Sequence, residues 1–433
     1  MSELAIGIDL GTTLSSVAVF DPATNKPEIV PNADGDRLTP SAVYLEEDGR
    51  ILVGTIAVAQ SKRTPSNVKR WIKRAMGTDK RIRLGDSVFR PEELSAAVLA
   101  KLVQDAEEYF GVNIKQAVIT VPAYFDDPRR KATADAGRIS GLESVHLLNE
   151  PTAAGLSFGL QEQRGATFLV YDLGGGTFDV SVMKSGGEEI EVLSIAGDHW
   201  LGGYDFDLAL AKHLARKFKL EHGFYPARDH PDYAADWHEL LQEAEEAKKK
   251  LSRLQEVQAT IRFGGKRSDV AVSRQEFEEL LAPYVTRTES LLKQAIQSAG
   301  LAPEGLSEVL LVGGSTRIPA FRESVRRVLP HLDPLAGINP DEIVAAGASI
   351  QAQILMGGKA GEIKRVSEVT AHPFGVLVRD TETGKVVNDV MIPRNAQIPQ
   401  VVRKTFYTIE EGQTLVEARI TQGEAGPGVQ VGI

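Results

Sequence analysis

The chain has 433 residues, a formal net charge of −10 and no cysteine. The length allows two or more domains. The acidic balance argues against nucleic acid or an anionic membrane as the main partner, and the lack of cysteine excludes a disulfide framework and thiolate chemistry. Hydrophobic content of 42% with 25% charged residues fits an ordinary soluble globular protein. Met1-Ser-Glu-Leu leads straight into an apolar run with no basic segment before it, so no signal peptide is expected. No run approaches a membrane span, and a cytoplasmic setting follows as the expectation.

The first element is a predicted hairpin, Ile6-Gly-Ile8-Asp9-Leu-Gly11-Thr12-Thr13-Leu14 and onward to Phe20. Two apolar runs flank Asp-Leu-Gly and hydroxyl residues. Turn-rich stretches follow, then short strands at Ser41–Leu45 and Ile51–Val53. Ser66–Met76 is basic, with Lys69, Arg70, Lys73 and Arg74. Such a run ordinarily reads as a solvated face, although near a phosphate cleft one lysine could point inward. Pro91–Phe110 has apolar residues at helical spacing, with Gly111 suited to the position after the last turn. A strand is predicted at Ala117–Val121, a helix over Asp126–Gly137, and another starting at Pro151. Strand–helix alternation of this kind indicates an α/β fold.

Phe168–Tyr171 and Phe178–Met183 form a second predicted hairpin around Asp172-Leu-Gly174-Gly175-Gly176-Thr177. Glycine lets backbone N–H groups approach an anion that a Cβ would hold off. Asp172, Asp179 and the Thr177 hydroxyl beside bare donors suit a phosphate with Mg²⁺. One glycine-rich tip could be no more than a turn. Two tips of the same pattern in one chain point to a duplicated fold with phosphates in the cleft between the halves. It is not a P-loop, since no Gly-Lys pair is followed by Ser or Thr.

Gly202-Gly203-Tyr204-Asp205 opens a helix predicted through Phe218. His222, His230 and His238 match no common metal-ligand spacing and read as surface residues. Asp236–Ser252 is a predicted helix capped by Asp236, with Glu245, Lys248, Lys249 and Ser252 on one face. Spacing alone makes that a solvated face. Glu308–Val312 then leads into Gly313-Gly314-Ser315-Thr-Arg317, with a helix from Pro319. A last helix is predicted from Ile338-Asn-Pro-Asp341 through Met356. Composition changes at Gly357, after which strands are predicted at Phe374–Val378, Val386–Ile392, Val401–Ile409 and Leu415–Gln422.

Taken together, these stretches resemble the DnaK-type chaperones, the seventy-kilodalton heat-shock and stress-response family. The resemblance rests on Ile8-Asp9-Leu-Gly-Thr-Thr13, Thr120-Val-Pro122-Ala-Tyr-Phe125, Asn149-Glu150-Pro-Thr-Ala-Ala154, Asp172–Asp179, Leu201-Gly-Gly203, Gly313–Arg317 and Asn339-Pro-Asp341, in that order along the chain. The short stretch between Val53 and Ala117 is similar to the compact bacterial branch that includes HscC-like proteins. The resemblance implies an actin-like, ribonuclease H-like duplicated ATPase domain over 1–357. A linker over 358–369 and a partial all-β sandwich over 370–433 would follow.

It also implies residue roles. Gly11, Thr12, Thr13 and the tip Gly174, Gly175, Gly176 and Thr177 would take the β- and γ-phosphates of ATP or ADP, backed by Gly202 and Gly203. Asp9 and Asp172 would hold Mg²⁺ largely through water, with K⁺ as a further ion the family admits. Lys73 would orient the attacking water, with Glu150, Asp172, Thr177 and Asp179 around it. Glu245, Lys248, Lys249, Ser252, Gly313, Gly314, Ser315, Arg317 and Asp341 would hold the adenosine, which overrides the solvated reading of that helix. Pro122 and Arg130 would relay the nucleotide state. The implied function is an ATP-hydrolysing chaperone for unfolded or extended polypeptides, served by a J-domain cochaperone and a nucleotide-exchange factor.

Four departures stand out: Leu14 after Thr-Thr, Tyr204 where a carboxylate is usual, His146 in place of a J-domain-binding arginine, and a polar connector, Gly361–Val369. The polar connector, the short β region and His146 together predict weak coupling. Two alternatives share the hairpins: an actin-like filament former, which the Ile392-Pro-Arg-Asn395 tail argues against, and a sugar or acetate kinase, which lacks a recognisable substrate loop.

Overall fold

A computed structural model describes residues 4–61, 63–161, 165–228, 230, 233–335, 337–358, 365–380, 383–409 and 411–423. Two sheets of the same plan carry the molecule. In the first, Ala5–Asp9 pairs antiparallel with Leu14–Asp21, so that Asp9 lies opposite Ser16, and parallel with Gln116–Val121 on its other side. Ser144–Asn149 and Lys26–Val30 extend that sheet at its two ends.

In the second, Ala166–Leu173 pairs antiparallel with Phe178–Gly186 and parallel with Glu308–Val312. Glu189–Asp198 continues it. Each sheet thus has a hairpin flanked by a parallel strand on the side of its first strand. This repetition is the duplication that the paired Asp-Leu-Gly stretches indicate. The hairpin strands of the second sheet are buried almost end to end, as expected for strands covered on both faces.

Two helices, Glu150–Gln161 and Ile343–Leu355, pack on each other between the sheets. Their small residues allow it: Ala153, Ala154, Ala345, Gly347 and Ala348 bring the backbones close. The shared core there includes Phe158, Phe168, Val170, Leu310 and Val344. A second core lies in the outer layer of the later half around Phe206, Phe218, Trp237, Phe277 and Phe321. The third, in the earlier half, joins Ile6, Ile8, Leu94, Leu99 and Leu102.

Several predicted elements agree with the structure, and Pro91–Phe110 does so to the residue, with Gly111 left-handed at φ 65°. Others differ. The helix over the Glu245 face runs Ala234–Leu251 and starts from Tyr233. Asp236 does not cap it, because its carboxylate accepts from the Gly264 amide of a neighbouring hairpin instead. The last helix of this region begins at Ile343 rather than Ile338, since Asn339 and Asp341 are used in a turn. Of the four late strands, Phe374–Arg379 and Val386–Ile392 form, but Val401–Ile409 pairs with nothing among the described residues and the fourth shortens to Ile420–Gln422.

The connector differs most. Residues 361–364 lie outside the described residues, but Arg365–Val369 is a strand. It runs parallel to Glu189–Asp198 and then pairs antiparallel with Gln397–Ile398. A polar segment therefore joins the second sheet through its backbone, which needs no apolar side chains.

Candidate functional site

The two hairpin turns face one cleft of about 930 Å³ between the halves of the chain. Asp9, Gly11, Thr12 and Thr13 line it from the first tip, and Asp172, Gly174, Gly175 and Thr177 from the second. Gly175 has to be glycine, because a Cβ there would sit 2.2 Å from the Thr13 hydroxyl oxygen. Gly176 and Gly202 lie just behind the surface. Gly202 packs so closely that its own Cβ would stand 2.5 Å from the Gly176 nitrogen. Backbone bonds Gly203 N to Gly174 O at 3.0 Å and Tyr204 N to Gly175 O at 2.8 Å tie that turn to the tip. Ser315 Oγ donates to Gly174 O at 3.0 Å, so three separate stretches converge on the second tip.

The floor of the cleft is charged. Lys73 and Glu150 form an ion pair, with side chains 5% and 10% exposed. The basic stretch is thus not a solvated face. Lys73 meets Glu150, Arg70 meets Glu245 at 2.6 Å, and Arg74 meets Asp205 at 2.7 Å. Around Lys73 lie Asp9, Asp172 and Asp179. Thr120 Oγ1 donates to Asp9 Oδ1 at 3.2 Å, and the Tyr124 amide donates to Asp179 Oδ1 at 3.0 Å.

Burial first, and then the charge of Glu150, pushes the Asp9 and Asp179 carboxyls up to about 7. Burial and the neighbouring acids Glu150, Asp179 and Asp9 hold Asp172 well above the usual carboxylate range. Asp179 Oδ2 is buried without a hydrogen-bond partner. Four crowded acids against one lysine leave room for a bound cation's charge, and the donor set of hard oxygens suits Mg²⁺. Among the described residues no three acidic or histidine side chains converge as direct ligands.

The far end of the cleft is lined by Glu245, Lys248, Lys249 and Ser252 from one side and Gly313, Gly314, Ser315, Arg317 and Asp341 from the other. Burial alone would raise Glu245, but Arg70, Lys249 and Lys248 hold it at about 2. Arg317 donates to Asp341 at 2.5 Å. Lys248 reaches Asp207 at 2.7 Å and donates to Gly203 O at 3.2 Å. Burial, opposed by Lys248, raises Asp207 to about 6.

Asp207 lines the cleft but is absent from the residues singled out by sequence, as are Arg253, Ile318, Arg322 and Arg326. The Tyr204-Asp-Phe-Asp207 run was the available signal for Asp207: two acids within one helical turn of the Gly202-Gly203 pair that ties to the second tip. The three loop histidines gather no metal site among the described residues. His222 and His238 are half-buried rather than at the surface, His222 bonding to Ser268.

A duplicated sheet-and-hairpin fold with both tips on one charged cleft is the actin-like ATPase architecture. A family model described as Hsp70 protein matches residues 5–84 and 80–427. The chain belongs to the Hsp70 family, whose members are ATP-dependent chaperones, ATPases that use Mg²⁺ with ATP or ADP and act with polypeptide clients and cochaperones. The match does not favour the filament-forming or small-molecule-kinase alternatives. Among the described residues no helix is long and apolar enough to cross a membrane.

Proposed function

We propose that the cleft binds Mg²⁺–ATP, hydrolyses it to ADP and phosphate, and passes the change to a polypeptide-binding region in 370–433. The observation that carries this reading is the meeting of both hairpin tips around Lys73 and its buried acids. Gly11, Thr12, Thr13, Gly174, Gly175, Gly176 and Thr177 supply donors for the β- and γ-phosphates. Gly202 and Gly203 brace the second tip. Asp9 and Asp172 hold Mg²⁺ through its water, and the ion, when bound, supplies positive charge where phosphate charge builds up.

Lys73, oriented by Glu150, fixes the attacking water. Thr177 and Asp179 complete that water's surroundings. In-line attack of this kind needs mainly positioning and charge stabilisation. Glu245, Lys248, Lys249, Ser252, Gly313, Gly314, Ser315, Arg317 and Asp341 hold the adenosine. The ATPase unit spans 1–357, and K⁺ is a further candidate ion.

Contacts between the unit and the late region support the coupling half of the reading. Tyr124 accepts at its carbonyl from His372 Nε2 at 2.9 Å and at its hydroxyl from Arg394 at 2.9 Å, while its amide bonds to Asp179. Arg130 donates to the carbonyls of Phe125 and Ala123 and to Asn149. Titration calorimetry with Mg²⁺–ADP, followed by phosphate release from ATP with and without an extended apolar peptide, tests both halves. Absence of Mg²⁺-dependent nucleotide binding overturns the first; a peptide that neither binds nor changes the rate overturns the second.

A further inference from the structure

One aromatic contact joins the two halves of the chain beside the cleft. Trp71, from the basic stretch of the first half, meets Tyr204, from the turn whose backbone bonds to the second tip, with ring centroids 4.8 Å apart and the rings tilted by 56°. Charged side chains frame the pair. The Arg70 guanidinium lies 4.6 Å from the Trp71 ring and reaches across to Glu245. Arg74 lies 4.9 Å from the Tyr204 ring and 5.2 Å from that of Trp200, and it bonds both oxygens of Asp205. Arg228 donates to the Tyr204 hydroxyl at 2.8 Å.

Trp71 is also strained. Its φ of 57° and ψ of 36° are left-handed, and it is the residue from which the 3₁₀ turn Ile72–Ala75 starts. Only two other described non-glycine residues, Asn25 and Asn395, have positive φ. Asparagine enters that region readily, whereas a bulky aromatic does so only when its surroundings force it. Two contacts tie Trp71 to the other half of the molecule, Tyr204 directly and Glu245 by way of Arg70. Lys73 sits two residues later in the same turn, on Glu150.

We propose that Trp71 and Tyr204 form a cross-cleft clasp that positions Lys73 and holds the nucleotide in place. The inference rests on the nucleotide-binding reading above. When the halves part, the ring contact and the Arg70–Glu245 pair separate together. Trp71 then has no partner holding it left-handed, and its backbone relaxes toward the extended region. The turn that starts at Trp71 shifts, and Lys73 moves off Glu150. Cleft closure and lysine placement are therefore one event with two arrangements. Tyrosine at 204 suits this use where a carboxylate would not, since it offers a flat face to Trp71 and Arg74 and a hydroxyl to Arg228. Both residues act through Lys73 and the closed cleft, so they are positioning residues.

The test uses the full chain and the variants Tyr204→Ala, Tyr204→Phe and Trp71→Gly. Glycine removes the ring yet accepts the left-handed backbone. Amide exchange without nucleotide is measured over residues 70–76 and 201–206. Release of a fluorescent ADP analogue with Mg²⁺ and single-turnover hydrolysis are measured by rapid mixing. Tyr204→Ala and Trp71→Gly are expected to raise exchange in both segments. Each should speed release at least fivefold and slow hydrolysis at least fivefold. Their combination should add little to either alone. Tyr204→Phe, which keeps the ring contact, should restore all three readouts to within about twofold of the parent.

Unchanged exchange or unchanged release in Tyr204→Ala overturns the proposal, and so does Tyr204→Phe behaving like the alanine variant. Tyr204 is half-buried, so this comparison decides even if Trp71→Gly does not fold. If the parent binds no nucleotide, the functional reading falls, while the exchange comparison still decides whether the halves are clasped.

Discussion

Asn149 Nδ2 donates to Glu368 Oε2 at 2.6 Å, across 219 residues of chain. Asn149 ends the edge strand of the first sheet, directly before Glu150, and Glu368 lies in the strand that the connector adds to the second sheet. One hydrogen bond thus joins the neighbourhood of the charged cleft floor to the connector. Burial raises the Glu368 carboxyl above its ordinary value, with Thr152 and Arg130 opposing only in part.

A carboxyl whose docked value is raised favours docking at low pH and loses that contribution as pH rises through the raised value. Protection of the amides of residues 366–369 is therefore expected to be greater at pH 5 than at pH 8. Glu368→Gln, neutral throughout and still an acceptor for Asn149, should remove most of that difference. Glu368→Leu, which leaves the amide of Asn149 without this acceptor and Arg130 without this nearby carboxyl, should loosen the strand at both pH values. Hydrogen exchange, expressed as protection factors, reads all three. Equal protection of the parent at both pH values contradicts the account.

The crossing of the two central helices makes a separate prediction. A Cβ on Gly347 would lie 1.6 Å from the carbonyl oxygen of Ala153, a backbone atom that cannot move aside. Gly347→Ala is expected to cost about 1–3 kcal/mol or more, as overpacking of a tight core does. Gly186→Ala, where nothing lies within 4 Å of the added atom, should change stability by less than about 0.5 kcal/mol. Urea midpoints compare the two, and a Gly347→Ala protein as stable as its parent would refute the close-packed crossing.

Much of this architecture is legible in the sequence because local chemistry dictates it. The two Asp-Leu-Gly turns announce themselves through glycine between apolar runs, and Pro91–Phe110 through its spacing. What is not legible depends on partners far along the chain. Arg70 and Lys73 look like a solvated run until Glu245 and Glu150, 175 and 77 residues away, are placed beside them. Arg365–Val369 has no apolar alternation to mark it, since a free sheet edge recruits it by backbone bonds. The reverse error occurs at Val401–Ile409, where β-branched and aromatic residues are plentiful but no described strand pairs with the segment. Tyr204 stands out only as a departure, and Trp71 is what gives it meaning.

Lys73→Ala removes the only cation paired with Glu150 among the described residues and leaves that acid buried. Breaking a buried pair from one side costs about 3–5 kcal/mol, so the thermal midpoint should fall. Single-turnover hydrolysis should slow at least tenfold, about 1.4 kcal/mol in the barrier, while Mg²⁺–ADP affinity changes little. Adding Glu150→Gln to this variant should recover stability without recovering hydrolysis. A double variant that regains the parental rate would show that Lys73 serves the fold and not the reaction.

Asp172 and Asp179 face each other as register partners across the second hairpin, with Asp9 and Glu150 also near Asp172. The carboxyls of Asp9 and Asp179 stand at about 7 and that of Asp207 at about 6, against an ordinary 3.8. A carboxyl raised by folding stays protonated in the folded chain at a pH where the unfolded chain has already released its proton. Its contribution to stability is fully present below about pH 4 and is lost as pH rises toward 7. Glu245 and Glu276, each held at about 2, act with the opposite sign, but only below about pH 4.5. Burial lowers His199, His213, His238 and His372, which also act with the opposite sign, but only below their ordinary value of 6.5. Between about pH 6.5 and pH 8 the raised acids dominate. The protein in EDTA should therefore lose stability with rising pH, on the order of 1 kcal/mol per pH unit. Mg²⁺–ADP should flatten that loss, since a bound cation favours the ionised acids. Asp172→Asn relieves the crowding, so in EDTA it should be at least as stable as the parent and less sensitive to pH. It should also bind Mg²⁺–ADP about tenfold or more weakly, because it removes a charge facing the ion. Urea midpoints at about pH 6.5, 7, 7.5 and 8, with EDTA and with Mg²⁺–ADP, separate the two effects. Stability in EDTA that rises or stays level across that range would show that these acids are not crowded in the folded chain.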